Sequence, residues 1–412
     1  MATSENLGQR IMQLSELAAR HSEPGPGVTR LLGTAEHRAV LNDLTEWMQK
    51  AGLNTELDAA GNLVGRTKTV PGAKTLIIGS HQDTVRQGGA YDGMLGVLLP
   101  LVVLEDLHQG GETLPLNIEL VAFSDEEGAR FSSTLIGSSA LAGTFDVAML
   151  EATGADGVTL AQALRDLGSN PDKIPTLARN PKQIAGFLEV HIEQGPVLES
   201  LDLPIGVVTA ITGIERHKVR LDGKAGHAGT TPMELRRDAL VAATEVVRTL
   251  DAHCRETDDL VGVVGELSVT PNAVNVIPSR VELTIELRSP VTEIRLAARE
   301  KLFAELDERI AATPCQWQHQ LVYEQREVSC APALQQRLAR AIEAEQFWPH
   351  HLFSGAGHDG LAMNQLTEVG MLFVRCKDGL SHHPDEAISA ADADAAARVL
   401  RRCLLDWNKE TA

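Results

Sequence analysis

Residues 75–84 read Thr-Leu-Ile-Ile-Gly-Ser-His-Gln-Asp-Thr. The first four form a short apolar run, which is typical of a strand buried on both faces, and the polar side chains of His81 and Asp83 follow it closely. Side chains that follow a buried strand lie at the carboxyl edge of a sheet, where open α/β proteins bind their ligands. The segment therefore predicts an α/β fold with a site at the ends of its strands.

Three further segments repeat this pattern of a buried strand followed by chemically active side chains. They are residues 116–123 with Glu126 and Glu127, residues 186–190 with His191, and residues 371–374 with His382. Helical periodicity over residues 95–107, between the first two strands, makes strand and helix alternate. This alternation predicts a mainly parallel sheet covered by helices.

The middle of the chain has a different pattern. Residues 275–287 alternate between apolar and polar side chains, as expected of a strand with one buried face. Together with its neighbours, this strand gives a predicted order of strand, helix, strand, strand, helix, strand. We therefore expect a ferredoxin-like domain at residues 214–327, inserted into a catalytic domain made of residues 1–213 and 328–412.

Composition limits the classes of partner. The net charge is -19, which would repel a nucleic acid backbone, and aromatic residues make up only 3% of the chain. The longest apolar run is shorter than the roughly 20 residues that span a bilayer. The five cysteines are scattered, with no metal-binding or disulfide spacing. We expect a cytoplasmic protein that binds neither nucleic acid nor membrane.

The side chains at the predicted strand ends are of the types that bind metal ions. His81, His191 and His382 offer imidazoles, and Asp92 and the Glu126-Glu127 pair offer carboxylates, with no thiolate among them. Such donors suit Zn, Mn, Co or Ni. Because there are more donors than one four-coordinate ion takes, they predict two divalent ions that share a bridging carboxylate.

Three carboxylates near these donors could have other roles. Consecutive side chains at a strand end point in different directions, so either Glu126 or Glu127 could bind metal while the other acts as general base. Asp83 could accept the second ring N–H of His81 and fix its tautomer, or it could simply cap the end of the strand.

Seven ordered motifs, which span nearly the whole chain, resemble those of the metallopeptidase M20 superfamily. They are His81-Gln82-Asp83-Thr84 with Gly89-Ala90-Tyr91-Asp92-Gly93, Asp125-Glu126-Glu127-Gly128, His191-Ile192-Glu193-Gln194-Gly195-Pro196, Gly226-His227-Ala228-Gly229-Thr230-Thr231-Pro232, Pro271-Asn272-Ala273-Val274-Asn275, Ser354-Gly355-Ala356-Gly357-His358-Asp359, and Asp378-Gly379-Leu380-Ser381-His382-His383-Pro384. The motif at His191 resembles the amidase, hydantoinase and carbamoylase branch, because peptidase and aminoacylase branches usually place a carboxylate there.

The resemblance implies a role for each site residue. The implied metal ligands are His81 and His191 for one ion, Glu127 and His382 for the other, and Asp92 as the bridge. Glu126 would be the general base, and His382 rather than His383 would be the ligand because it follows the serine of the motif. The implied substrate contacts are His227 at the oxyanion, acting across a dimer, Asn275 and Arg288 at a carboxylate, and Gln194 and Gly357 near a ureido group.

The expected activity is therefore hydrolysis of a linear ureido or N-carbamoyl carboxylate, with release of ammonia and carbon dioxide. N-carbamoyl-L-amino acids and allantoate are the candidate substrates. An N-acyl amino acid hydrolase or dipeptidase is the alternative. The resemblance also implies that the inserted domain is a lid and the surface of a homodimer. Residues Glu215-Arg216-His217 lie where relatives differ with substrate, which leaves the substrate open.

Overall fold

A computed structural model of the protein describes residues 6–408. The described chain divides into two compact units, one containing residues 6–209 and 329–408, the other containing residues 210–328. Each unit has its own hydrophobic core. Over residues 6–408, no helix combines the length and the apolar character needed to cross a lipid bilayer.

The helices and strands follow one another along the chain, apart from short 3-10 turns. They are α1 (Leu7–Ala19), α2 (Ala35–Lys50), β1 (Asn54–Leu57), β2 (Leu63–Arg66), β3 (Thr75–His81), α3 (Leu95–Gln109), β4 (Asn117–Phe123), α4 (Ile136–Ala142), α5 (Leu160–Leu167), β5 (Ile184–Ile192), α6 (Val197–Ser200), β6 (Ile205–Ile211), β7 (Gly213–Asp222), α7 (Ala239–Glu256), β8 (Val261–Thr270), β9 (Arg280–Ser289), α8 (Thr292–Ala311), β10 (Gln316–Gln325), β11 (Val328–Ser329), α9 (Pro332–Ala344), β12 (His351–Ser354), α10 (Gly360–Met363), β13 (Val369–Val374) and α11 (Ala390–Leu405).

The large sheet has nine strands in the order β1-β2-β4-β3-β5-β13-β6-β11, with β12 also paired to β6. Its centre, β4-β3-β5-β13, is parallel. On either side, β2 joins β4 and β6 joins β13 in antiparallel pairs. The predicted α/β class with a largely parallel sheet is thus confirmed at the centre of the sheet, and its margins are antiparallel.

The register brings the carboxyl ends of the parallel strands together. His81 at the end of β3 pairs with Phe123 at the end of β4, and Ile192 at the end of β5 pairs with Val374 at the end of β13. Loops that leave these four strands consequently start along one edge of the sheet. The chain carries its candidate metal donors at this edge.

Helix α3 is buried along almost its whole length and packs against the centre of the sheet. Gly96 allows this close approach, since a Cβ there would lie 2.2 Å from the carbonyl oxygen of Val190 and 2.6 Å from the Ser80 side chain. Helices α1 and α11 pack on α3 from the other side. A helix covered on both faces needs no polar stripe, which explains its apolar run over residues 95–104.

The second unit runs β7-α7-β8-β9-α8-β10, and its four strands form an antiparallel sheet in the order β10-β7-β9-β8. The alternating apolar residues of β9 are buried beneath α7 and α8. These residues are Val281, Leu283, Ile285 and Leu287.

The predicted strand at residues 275–287 is wrong at its beginning, because β9 starts only at Arg280. Residues 275–277 instead form a loop against the 226–228 segment, where the Ile277 N–H donates to the Gly226 carbonyl at 2.9 Å. Ile277 is buried by this loop pairing rather than by a sheet. In the sequence, this apolar loop residue fitted the alternating pattern of the following strand.

Candidate active site

The structure brings the five predicted metal ligands together at the carboxyl edge of the central strands. His81 is the last residue of β3 and His191 the penultimate residue of β5, while Asp92 lies in the turn before α3. Glu127 follows β4 and His382 lies in the loop after β13. All but His382 are largely or fully buried.

Asp92 stands between two sets of donor atoms. Its Oδ1 lies 3.4 Å from His81 Nε2 and 3.2 Å from His191 Nε2. Its Oδ2 lies 3.4 Å from His382 Nε2, which in turn lies 3.3 Å from Glu127 Oε1. Each carboxylate oxygen of Asp92 therefore faces a separate group with the spacing and chemistry of a metal site.

Backbone carbonyls orient the two buried histidines. The Nδ1 atom of His81 lies 3.0 Å from the Asp83 carbonyl oxygen, and that of His191 lies 2.9 Å from the Ile192 carbonyl oxygen. An Nδ1–H donated to a carbonyl leaves Nε2 with its lone pair directed at Asp92, as a metal ligand requires. Gly93, at φ +65°, makes room for His81, because a Cβ there would lie 2.4 Å from the imidazole ring.

The Asp83 carboxylate was expected to accept the ring N–H of His81. Its Oδ1 lies 3.5 Å from His81 Nδ1, which is further than the Asp83 carbonyl oxygen at 3.0 Å. The carboxylate instead accepts the backbone N–H of Glu126 on Oδ1, at 3.0 Å, and that of Glu127 on Oδ2, at 3.2 Å. Asp83 therefore fixes the backbone of the glutamate pair. The alternative role, a cap at the end of its own strand β3, does not account for these hydrogen bonds, because Glu126 and Glu127 follow β4.

Negative charge is concentrated around the glutamate pair. Burial, reinforced by the nearby carboxylates of Glu127, Asp359 and Asp83, raises the pKa of Glu126 well above its usual value, although His81 opposes this. Burial and the adjacent Asp83 likewise raise the pKa of Asp125. Crowded carboxyl groups of this kind are relieved by a bound cation, so their environment fits divalent metal.

Three residues contact Asp92 in ways that the sequence did not predict. Gln194 donates its Nε2–H to Asp92 Oδ2 at 2.8 Å, and the Ser381 hydroxyl donates to the same oxygen. Glu386 accepts the backbone N–H groups of Tyr91, at 2.8 Å, and Asp92, at 3.0 Å. Gln194 was expected near a ureido group, but its amide nitrogen here supports the central carboxylate.

The His382-His383 doublet separates clearly in space. His382 belongs to the donor group with Asp92 and Glu127, whereas His383 lies near Asp385, whose backbone N–H donates to its Nδ1 at 3.1 Å. Gly357 lies beside the glutamate pair, since a Cβ on it would come within 3.6 Å of Glu126 Oε1. Neither the placement of Gly357 nor that of His382 conflicts with its expected role.

His358, next to Gly357, is a buried neighbour of the site that the sequence did not assign. Its ring meets the ring of His191 edge-on, with centroids 4.5 Å apart, and its Nε2 lies 2.7 Å from the Ser354 hydroxyl. Burial, followed by the nearby His191, lowers the pKa of His358 well below its usual value. A neutral His358 therefore packs behind the metal-ligand candidate His191.

The three expected substrate contacts of the second unit do not converge. His227 and Asn275 are exposed on paired loops, where the Ala228 N–H donates to the Asn275 carbonyl at 2.8 Å. These loops adjoin the Arg280 end of β9, whereas Arg288 lies eight residues further along that strand. At about 3.3 Å per residue, Arg280 and Arg288 lie about 26 Å apart, so one copy of this unit does not bring all three side chains to one small molecule.

An α/β sheet whose strand ends present two sets of imidazole and carboxylate donors around one shared aspartate is the framework of a metal-dependent enzyme. Comparison with known proteins agrees: the sequence matches Peptidase family M20/M25/M40 over residues 69–406, and the chain belongs to this family of metal-dependent enzymes. The family expected from the motifs is thereby confirmed.

Full-length relatives place the chain more narrowly. It is 41% identical to the N-carbamoyl-L-amino acid amidohydrolase of Geobacillus stearothermophilus, covering 97% of each chain. It is 37% identical to the probable allantoate deiminase of Oryza sativa subsp. japonica, covering 95% of this chain and 87% of the relative. The crystal structure of an amidase of the hydantoinase/carbamoylase family from Burkholderia multivorans superposes with a TM-score of 0.93 at 31% identity, covering 98% of both chains.

Proposed function

We propose that the protein is a metal-dependent amidohydrolase that cleaves the C–N bond of a linear ureido or N-carbamoyl carboxylate and releases ammonia and carbon dioxide. The observation that carries this proposal is the imidazole of His191, 3.2 Å from Asp92 Oδ1, where peptidase branches usually place a carboxylate. The full-length similarity to carbamoylases and allantoate deiminases supports it. N-carbamoyl-L-amino acids and allantoate are the substrate candidates.

The proposed metal centre holds two divalent ions, Zn or Mn, with Co or Ni also compatible with the donors. His81 and His191 would bind one ion, Glu127 and His382 the other, and Asp92 would bridge them. The two-sided environment of Asp92 supports this assignment, since each of its oxygens faces a different donor set. When bound, the ions would lower the pKa of a water and polarise the scissile carbonyl.

Proton transfer is assigned to Glu126. Its carboxylate lies next to the donors but belongs to neither set that shares Asp92, and its backbone is held by Asp83. Glu126 takes a proton from the attacking water and passes it to the leaving nitrogen. Gly357 and Gln194 flank the position where the ureido group would react.

The inserted domain predicted at residues 214–327, which lies within the second unit, is proposed to act as a ferredoxin-like lid and as the surface of a homodimer. Arg288 would bind the substrate carboxylate, and His227 with Asn275 would come from the partner subunit to the oxyanion and the substrate. The two ends of β9, about 26 Å apart, carry Arg288 at one end and adjoin the loops of His227 and Asn275 at the other, which supports a contribution from two copies. The exposed edge strand β8, with Val261, Val263 and Leu267 open to solvent, supports pairing between copies.

The test is ammonia release by protein stripped of metal and reconstituted with Mn or Zn. The panel contains N-carbamoyl-L-amino acids, allantoate, N-acetyl amino acids and dipeptides. Glu126→Gln should abolish release, whereas the exposed Glu368→Gln should not change it. Turnover confined to the N-acetyl or dipeptide substrates would instead establish the alternative, an N-acyl amino acid hydrolase or dipeptidase.

A further inference from the structure

In the second unit, one carboxylate is held between two guanidinium groups. Arg216 donates its Nε–H to Glu286 Oε2 at 2.9 Å and its Nη2–H to the same oxygen at 2.5 Å. Arg288 donates in the same way to the other oxygen, Oε1, at 2.8 Å from Nε and 2.5 Å from Nη2. Glu286 is thus shared symmetrically by two cations.

The sheet register builds this cluster. Arg216 on β7 lies directly opposite Glu286 on β9, and Arg288 follows Glu286 by two residues, so all three side chains leave the same face. Tyr323 on β10 supports Arg216 from the other side, with the guanidinium carbon 5.7 Å from its ring centroid. The side chain of Glu286 is only 11% exposed, so this carboxylate is largely withdrawn from solvent.

Glu286 stays ionised in this position. Burial alone would raise its pKa, but the hydrogen bonds from Arg216 and Arg288 hold the pKa below its usual value. Two guanidinium groups and one carboxylate therefore carry one net positive charge. Without Arg216, the Glu286–Arg288 pair would have no net charge.

We propose that Arg216 is a specificity-determining residue that offsets the charge of Glu286, so that Arg288 retains the net positive charge that attracts a substrate with one carboxylate. This inference rests on the proposed function, in which Arg288 receives that carboxylate. It also gives Glu286 a role: the shared carboxylate orients the Arg288 guanidinium through its Nε and Nη2 atoms. A chain of net charge -19 needs such a local positive site to concentrate an anionic substrate.

The experiment compares KM and kcat for the best carboxylate substrate of the panel and for its carboxamide analogue. Arg216→Gln should raise KM for the carboxylate by roughly 3- to 10-fold, a screened effect because the Arg216 side chain is 47% exposed, while kcat stays within about twofold. KM for the neutral carboxamide should not change. The double variant Arg216→Gln with Glu286→Gln restores one net positive charge, and the amide oxygen at position 286 can still accept the Arg288 hydrogen bonds, so KM should return to within about twofold of the wild type.

Arg220→Gln is the matched control, because Arg220 lies on the same strand and face but pairs with Asp222 at 2.8 Å. It should leave both KM values unchanged. The proposal is overturned if Arg216→Gln leaves KM for the carboxylate unchanged, raises it equally for the carboxamide, or is not rescued by the double variant. The comparison uses whichever carboxylate substrate the wild type cleaves. If the proposed ureido hydrolysis is wrong, the wild type will hydrolyse a different bond, and the effect of Arg216→Gln on KM can still be measured.

Discussion

Replacement of Asp83 by Asn tests how the general base is positioned. The Asp83 carboxylate accepts the backbone N–H groups of Glu126 and Glu127, one on each oxygen, and it is 1% exposed. An asparagine keeps one acceptor oxygen, but it turns an amide donor toward the other N–H. One bond is therefore lost, and two donors face each other in a buried site.

The size of the effect follows from these contacts. A hydrogen bond to a charged group contributes about 1.5 to 3 kcal/mol, and an unpaired buried donor adds to the loss, so we expect about 2 to 4 kcal/mol in total. Because Asp83 holds the segment that carries Glu126, this loss should appear in the transition state. At about 1.36 kcal/mol for each factor of ten, kcat should fall roughly 30- to 900-fold.

The assay is steady-state ammonia release at saturating metal and substrate, with bound metal counted by mass spectrometry and stability measured by thermal unfolding. Asp392→Asn is the control, since this buried carboxylate on α11 accepts hydrogen bonds from Arg375, after β13, and from Ser389, the N-cap of α11, and should affect stability without lowering kcat. The reasoning would be refuted if Asp83→Asn kept kcat within about threefold of the wild type, or if Asp392→Asn lowered kcat as severely.

Three further outcomes are expected. Asp92→Asn should remove most of the bound metal, measured by mass spectrometry after dialysis, because a neutral amide replaces the carboxylate whose two oxygens face the two donor sets; retention of two ions would contradict this. Glu215→Gln should destabilise the second unit by about 3 kcal/mol in urea unfolding, because it neutralises the buried carboxylate that pairs with Arg295 and leaves that guanidinium only the longer contact with Glu324, at 3.5 Å; an unchanged midpoint would exclude that. Leu267→Lys on the exposed edge of β8 should convert dimers to monomers in light scattering and reduce turnover; dimers that persist would place the interface elsewhere.

The sequence was most informative where function depends on position along a single strand. A buried strand must end at the edge of the sheet, so His81, His191 and the Glu126-Glu127 pair could be placed at that edge from local pattern alone. The choice of Glu127 over Glu126 as the metal ligand came from the family resemblance. The edge alignment of β3, β4, β5 and β13 then brings them together.

The contacts that were missed depend on pairing between distant segments. Glu386 accepts the N–H of Asp92 across 294 residues of sequence, and Ser381 donates to the same aspartate. Local periodicity carries no information about such contacts. The start of β9 was missed for a related reason, because Ile277 is buried by a partner loop rather than by a sheet.

The cluster around Glu286 could be predicted from the sequence only in part. Its pairing with Arg288 joins residues two apart on one strand and is accessible to sequence reasoning. Its pairing with Arg216 requires the register of β7 against β9, which the sequence does not specify. The Glu215-Arg216-His217 segment was expected to lie where relatives differ with substrate, but the role proposed for Arg216 depends on that register.

The most direct test of the metal centre is anomalous diffraction from crystals of the protein grown with Zn. We expect two peaks about 3.5 to 4 Å apart, on either side of Asp92. One peak should lie against His81 and His191, and the other against Glu127 and His382. A single peak, or a second peak held by other residues, would contradict the two-ion account of this site.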